Sequence, residues 1–184
     1  MRDWINKRFE MDFLKQWLTS GVPISAHTSD GWYGQLKRME RFQHRALNAK
    51  NEDDSLDFSL AFFQSCYHLR EWIQTFEQID PEDWNKKWEE FINNNVCMKN
   101  CRDLCNISKH MTINKASVTQ NIVITRNFEE DGSDIGKFTG WTLNIDEKQI
   151  DFFELMKDCT NAWITFIKGE LFDSLIISKY LEGK

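Results

Sequence analysis

Proline and glycine are scarce, two and eight among 184 residues, so long stretches of this chain can stay helical without interruption. No apolar run approaches the ~20 residues a membrane-spanning helix needs. The segment Met1-Arg2-Asp3-Trp4-Ile5-Asn6-Lys7-Arg8 breaks its apolar side chains with charge and makes no hydrophobic signal core. Positive charge is in deficit as well: 23 Lys and Arg against 29 Asp and Glu leave a net charge of −6. That balance argues against a large basic nucleic-acid footprint and leaves room for a small local one. Neither a Gly-x-Ser-x-Gly elbow nor a Rossmann glycine pattern occurs, which removes common hydrolase and dehydrogenase classes. Gly132 to Lys137 falls short of a P-loop, with three residues between its glycines and Phe138 where Ser or Thr is required. The acidic run from Asn127 resembles the start of an EF-hand, but Phe138 also stands where its bidentate Glu belongs.

Large aromatics are what the chain has in surplus. Eight Trp and fourteen Phe, each burying ~150–250 Å², allow a core built from few positions. At this length one domain spanning 1–184 is expected, with no disulfide or metal staple required. Five cysteines, an odd number without a leader, point to reduced thiols and a cytoplasmic location. Cys97, Cys101 and Cys105 recur every four residues, with Cys66 placed to face them. Cys97 and Cys105 lie ~12 Å apart along a helix, so the three cannot share one ion. They read as core packing, and no metal or cofactor is expected.

The periodicity predicts a mainly α fold: a helical core over 1–112, a β-hairpin near 117–146, and a C-terminal helix near 150–182. Helices are expected over 3–20, from a cap at Ser29 or Asp30, over 54–78, from Asp80-Pro81, and over 96–110. The 54–78 helix is apolar around much of its circumference and should be central. Ile122-Val123-Ile124 and the alternation of Trp141, Leu143 and Ile145 mark the two strands, with a third short strand near 149–151. Gly169 is placed to kink or end the last helix.

Two segments are dense in reactive types: Cys66-Tyr67-His68-Leu69-Arg70-Glu71-Trp72, and Arg102 through His110. At 100° per residue, Asp103, Asn106 and His110 fall on one helical stripe with Arg102 at its edge. The plain reading of Lys109 and His110 is that cations complement the negative end of a helix. Dipole complementarity does not require Arg102, Asp103 and Asn106 as well. Arg102 and His110 converging on one face can hold and cleave a phosphodiester, or merely bind a buried carboxylate. His68 has a plain reading too, a boundary histidine satisfied by a carboxylate or a carbonyl. Its functional reading joins it to Glu71 and His110 as a second titrating group.

Residues 54–112 resemble the HEPN superfamily of all-helical domains, typically dimeric and often RNA-cutting through an Arg, a following polar residue and a nearby His. Arg102, Asp103 and His110 match those positions, although seven residues separate Arg102 from His110, more than the family's usual spacing. The same two segments also resemble bacterial proteins with no assigned function. The resemblance implies a metal-independent ribonuclease or a toxin- or defence-type RNA-binding protein, acting as a homodimer. Arg102 would hold the phosphate and His110 would move the proton. Asn106 and Asp103 would orient those groups, with His68, Glu71 and Lys109 in support. The competing expectation is a non-catalytic interaction module that binds a protein partner or a small anion.

Overall fold

The computed structural model describes residues 31–109, 122–131, 137–145 and 147–171. The expected helix over 3–20 and the cap at Ser29 or Asp30 lie outside these residues. Among the described residues the order is α1 (Gly31–Leu47), α2 (Glu52–Glu77), α3 (Pro81–Asn94), α4 (Val96–Lys109), β1 (Ile122–Glu129), β2 (Lys137–Ile145), β3 (Lys148–Asp151) and α5 (Phe152–Phe166). The fold is a mainly helical bundle with a small antiparallel sheet set before the C-terminal helix. No helix among the described residues is long and apolar enough to cross a membrane.

Local chemistry sets the boundaries. Asn51 caps α2 by accepting from the Asp54 amide at 2.8 Å, and Glu52, Asp53 and Asp54 occupy the first turn, where the helix dipole favours acids. The helix therefore starts two residues before the expected 54. At its other end Gln78 adopts φ 54°, a left-handed cap. Asp80 caps α3 ahead of Pro81, as expected, and the helix ends at Asn94 within the asparagine run. Asp151 caps α5 by accepting from the amides of Phe153 and Glu154 at 2.8 and 3.1 Å. That cap is why the C-terminal helix starts at Phe152 and not at 150. It continues into a π-helical turn, Ile167–Leu171, which contains Gly169.

The sheet has the order β1-β2-β3, with Leu143 of β2 opposite Ile124 on one side and Ile150 on the other. Trp141, Leu143 and Ile145 are buried in alternation, and the short third strand forms at 148–151. β1 runs from Ile122 through Glu129, and the part of the expected hairpin before Ile122 lies outside the described residues. The register shifts between Asn127 and Phe128, opposite Gly140. There φ is +154°, and an added Cβ would stand 3.3 Å from the Phe153 ring, so glycine suits this position twice over.

α2 supplies the central wall, with Phe62, Phe63, Cys66, Leu69 and Ile73 wholly buried. α1 packs against it, and the Gln35 amide donates to the Ser65 carbonyl. On the opposite side α3 and α5 close an aromatic cluster. Trp163 stacks on Trp88 with centroids 5.5 Å apart, and Phe91 and Phe166 pack at 4.5 Å.

Candidate functional site

α2 and α4 bring His68, Glu71 and Arg102 of the predicted site residues together around Tyr67 and Cys105. His68 Nδ1 lies 3.0 Å from Glu71 Oε2, and its Nε2 lies 3.9 Å from the Cys105 Sγ on α4. One tautomer satisfies both: Nδ1–H donates to the carboxylate while Nε2 accepts from the thiol. A thiol, an imidazole and a carboxylate in that order are the parts of a nucleophilic triad. Cys105 has no exposed surface, however, and a nucleophile needs access to its substrate. Its thiol here holds the imidazole in place. Gln64 donates to Ser108 Oγ at 2.8 Å, tying the same two helices one turn further along.

Arginine frames this surface. The Arg70 guanidinium lies 4.7 Å from the Tyr67 ring centroid and 5.3 Å from that of Trp88. Arg102, on α4, is also close enough to act on the Tyr67 phenol. Burial raises the phenol's pKa above its usual value, and the two guanidinium charges oppose that without cancelling it. Arg102 and Asn106 are half-buried, one turn apart on one face of α4. Asp103 turns away from that face: it is wholly buried, with its carboxylate 3.9 Å from Arg102 Nε. The helical wheel alone placed it with Asn106. His110 and the Lys109 side chain lie outside the described residues.

A second basic surface escaped the sequence reading. Arg38, Arg41 and Arg45 recur at i, i+3 and i+7 on α1, all exposed, and line a hollow of about 220 Å³ with Gln35 and Phe42. Arg38 and Arg45 lie over the rings of Phe42 and Phe58. Among the described residues no carboxylate forms an ion pair with any of the three. The helical spacing was legible, but no expectation attached to it because the chain as a whole is acidic.

The cysteines form the other concentration of chemistry. Cys66 of α2, Cys101 of α4 and Cys159 of α5 are wholly buried, and their sulfurs lie within 4.8 Å of one another. Cys101 donates to the Phe63 carbonyl and Cys159 to the Cys97 carbonyl, both at 3.4 Å. Burial is the strongest influence on Cys66 and opposes its ionisation. The polar neighbours Cys101, Cys159 and Trp163 act against burial and lower the pKa. Burial then holds Cys101 and Cys159 well above the usual thiol range. The nearby Cys159 lowers the Cys97 pKa.

Compared with protein-family models, with curated proteins and with solved structures, the chain matches none.

Proposed function

We propose that this chain binds RNA and cuts it without a metal at the α2–α4 surface, as a HEPN-like ribonuclease of the toxin or defence type. The observation that carries the reading is the gathering of Arg70 and Arg102 about Tyr67, beside the Glu71–His68–Cys105 chain. Arg102 donates paired hydrogen bonds to the non-bridging oxygens of the scissile phosphate, for which its planar fork is suited. His110 takes the proton of the 2′-hydroxyl, whose oxygen attacks phosphorus. The bond to the 5′-oxygen breaks, and that oxygen leaves with a proton taken from water, giving a 2′,3′-cyclic phosphate and a 5′-hydroxyl end. Asn106 orients the phosphate. His68, held at both nitrogens, is a positioning residue. Two chains complete the site across a dimer axis. The arginine row of α1 tracks the RNA backbone, so binding weakens as salt rises.

Purified protein incubated with mixed RNA tests this. Wild type should release cyclic-phosphate ends, and Arg102→Ala and His110→Ala should each lower the rate by roughly 100-fold or more. The Arg102→Ala thermal midpoint should stay within a few degrees of wild type. An inactive wild type, together with an Arg102→Ala chain that unfolds, would make Arg102 a structural partner and end the nuclease reading.

A second reading, a non-catalytic interaction module, is favoured by β1. It is an edge strand of the sheet, and Val123 and Phe128 are 54% and 40% exposed. Loss of partner binding in Val123→Lys, with no RNA cleavage by wild type, would select it.

A further inference from the structure

The four-residue spacing of Cys97 and Cys101 puts both sulfurs on one face of α4, the arrangement by which two side chains of one helix reach a common ion. Cys66 arrives from α2 and Cys159 from α5, so three helices contribute to one cluster. Cys105, one turn on from Cys101, turns to His68 and stays out. In a tetrahedral thiolate site the metal–sulfur bond is ~2.3 Å, which sets neighbouring sulfurs ~3.8 Å apart. The sulfurs of Cys66, Cys101 and Cys159 are already within 4.8 Å of one another, so closing on an ion takes shifts of an ångström or less. Cys97 sits one turn before Cys101 on α4, and its carbonyl lies 3.4 Å from the Cys159 sulfur, so its half-buried side chain borders the cluster and is in reach as a fourth donor. Cys97 also lines an open groove of about 650 Å³ whose walls include Glu90, Asp158, Asn95 and Asn161. Lys87 and the rings of Phe91 and Phe166 share those walls, and the groove opens Cys97 to solvent, which can deliver an ion and hydrate the charge the thiolates carry.

We propose that Cys66, Cys97, Cys101 and Cys159 form a four-thiolate site for one zinc ion that fastens α2, α4 and α5 together. Soft sulfur donors in a set of four select such an ion over magnesium or calcium. As each sulfur binds, its proton passes to solvent, so loading releases protons and is favoured by rising pH. The ion is structural. All four ligand positions are filled, leaving none for water or substrate, and the site is separate from the α2–α4 surface proposed for RNA.

Reduced full-length protein titrated with Co(II) tests this directly. The expected result is a thiolate-to-cobalt charge-transfer band with strong tetrahedral ligand-field absorption, saturating at one ion per chain. Zn(II) should bleach it and raise the Tm. Cys105→Ser should keep the full signal, whereas Cys101→Ser and Cys159→Ser should lose it while retaining helical circular dichroism. If those variants fail to fold, X-ray absorption on the zinc-loaded wild type decides. A first shell of three or four sulfurs supports the site, and a shell of nitrogen and oxygen overturns it. An unchanged signal in Cys101→Ser, or no band in wild type, overturns it equally.

Discussion

Cys101 and Cys105 lie one turn apart on α4, neither is exposed, and their surroundings are opposite in kind. Cys101 meets two more sulfurs and donates to the Phe63 carbonyl. Cys105 meets an imidazole that runs out through Glu71 to solvent. A four-residue step rotates a side chain by only ~40° about the helix axis. That is enough to point one thiol into the seam with α5 and the other at the polar edge of α2. The same residue type is therefore structural material on one side and part of a hydrogen-bonded relay on the other, and the neighbouring helices decide which.

The largest expected effect lies on the dry side. Trp163 stacks on Trp88, packs on Phe91 and Phe166, and donates its indole N–H to the Cys66 carbonyl at 3.1 Å. Trp163→Ala should lower unfolding free energy by ~3–5 kcal/mol, read from urea denaturation, because the cavity it leaves is walled by rigid rings. A loss below ~1 kcal/mol would mean that this seam closes over the gap, contrary to close packing.

The relay side should show coupling where the dry side shows none. Removing Cys105 takes away the thiol 3.9 Å from His68 Nε2. A double-mutant cycle of Cys105→Ala with His68→Ala should return an interaction of ~0.5–1.5 kcal/mol. Cys101→Ala combined with His68→Ala should be additive to within ~0.5 kcal/mol, since among the described hydrogen bonds none joins the two. Equal coupling in both cycles would erase the distinction between the thiols.

How much of this was legible in the sequence follows from the range of the interactions. α2, its acidic first turn, the Asp80-Pro81 cap and the Trp141/Leu143/Ile145 alternation depend on neighbours within a few residues, and all were readable. So was the relation of His68 to Glu71, three positions apart on a helix. The burial of Asp103 was not, because a helical wheel says which residues share a stripe but not which stripe a neighbouring helix covers. The Cys66–Cys101–Cys159 cluster was hidden for a similar reason. Cys159 comes from a helix beyond the sheet, and its place was set by the way the sheet returns the chain onto α2. Spacing along one helix rightly kept Cys97 and Cys105 from sharing an ion, but it could not see sulfurs arriving from elsewhere.

A smaller effect is expected at Glu71. The pair with His68 is 53% exposed on the carboxylate side and 30% on the imidazole side, and surface pairs contribute little. Glu71→Gln should change stability by under ~1 kcal/mol and the difference should shrink in high salt. A larger, salt-independent loss would make Glu71 part of the buried framework instead of the solvent end of the relay.

The smallest effect concerns Tyr67, which stands between the two regions, edge-on to Trp88 and beneath the Arg70 guanidinium. Burial raises its pKa above 10.0 because the phenolate loses hydration, and the opposing pull of Arg70 and Arg102 is too weak to reverse this. A group whose folded pKa is raised holds its proton more tightly in the native state. Its contribution to stability is then complete below the unfolded value and is lost as pH climbs from there through the folded value. The chain has three tyrosines, so the tyrosinate absorbance of wild type minus that of Tyr67→Phe isolates this one. The difference should titrate with a midpoint above 10.0, and Tyr67→Phe should be less sensitive to alkaline unfolding than wild type. Arg102→Ala should move the midpoint higher still by removing one of the two charges that favour the phenolate. A midpoint that falls in Arg102→Ala would place Arg102 away from Tyr67, and the α2–α4 surface would lose the arginine pair on which the RNA reading rests.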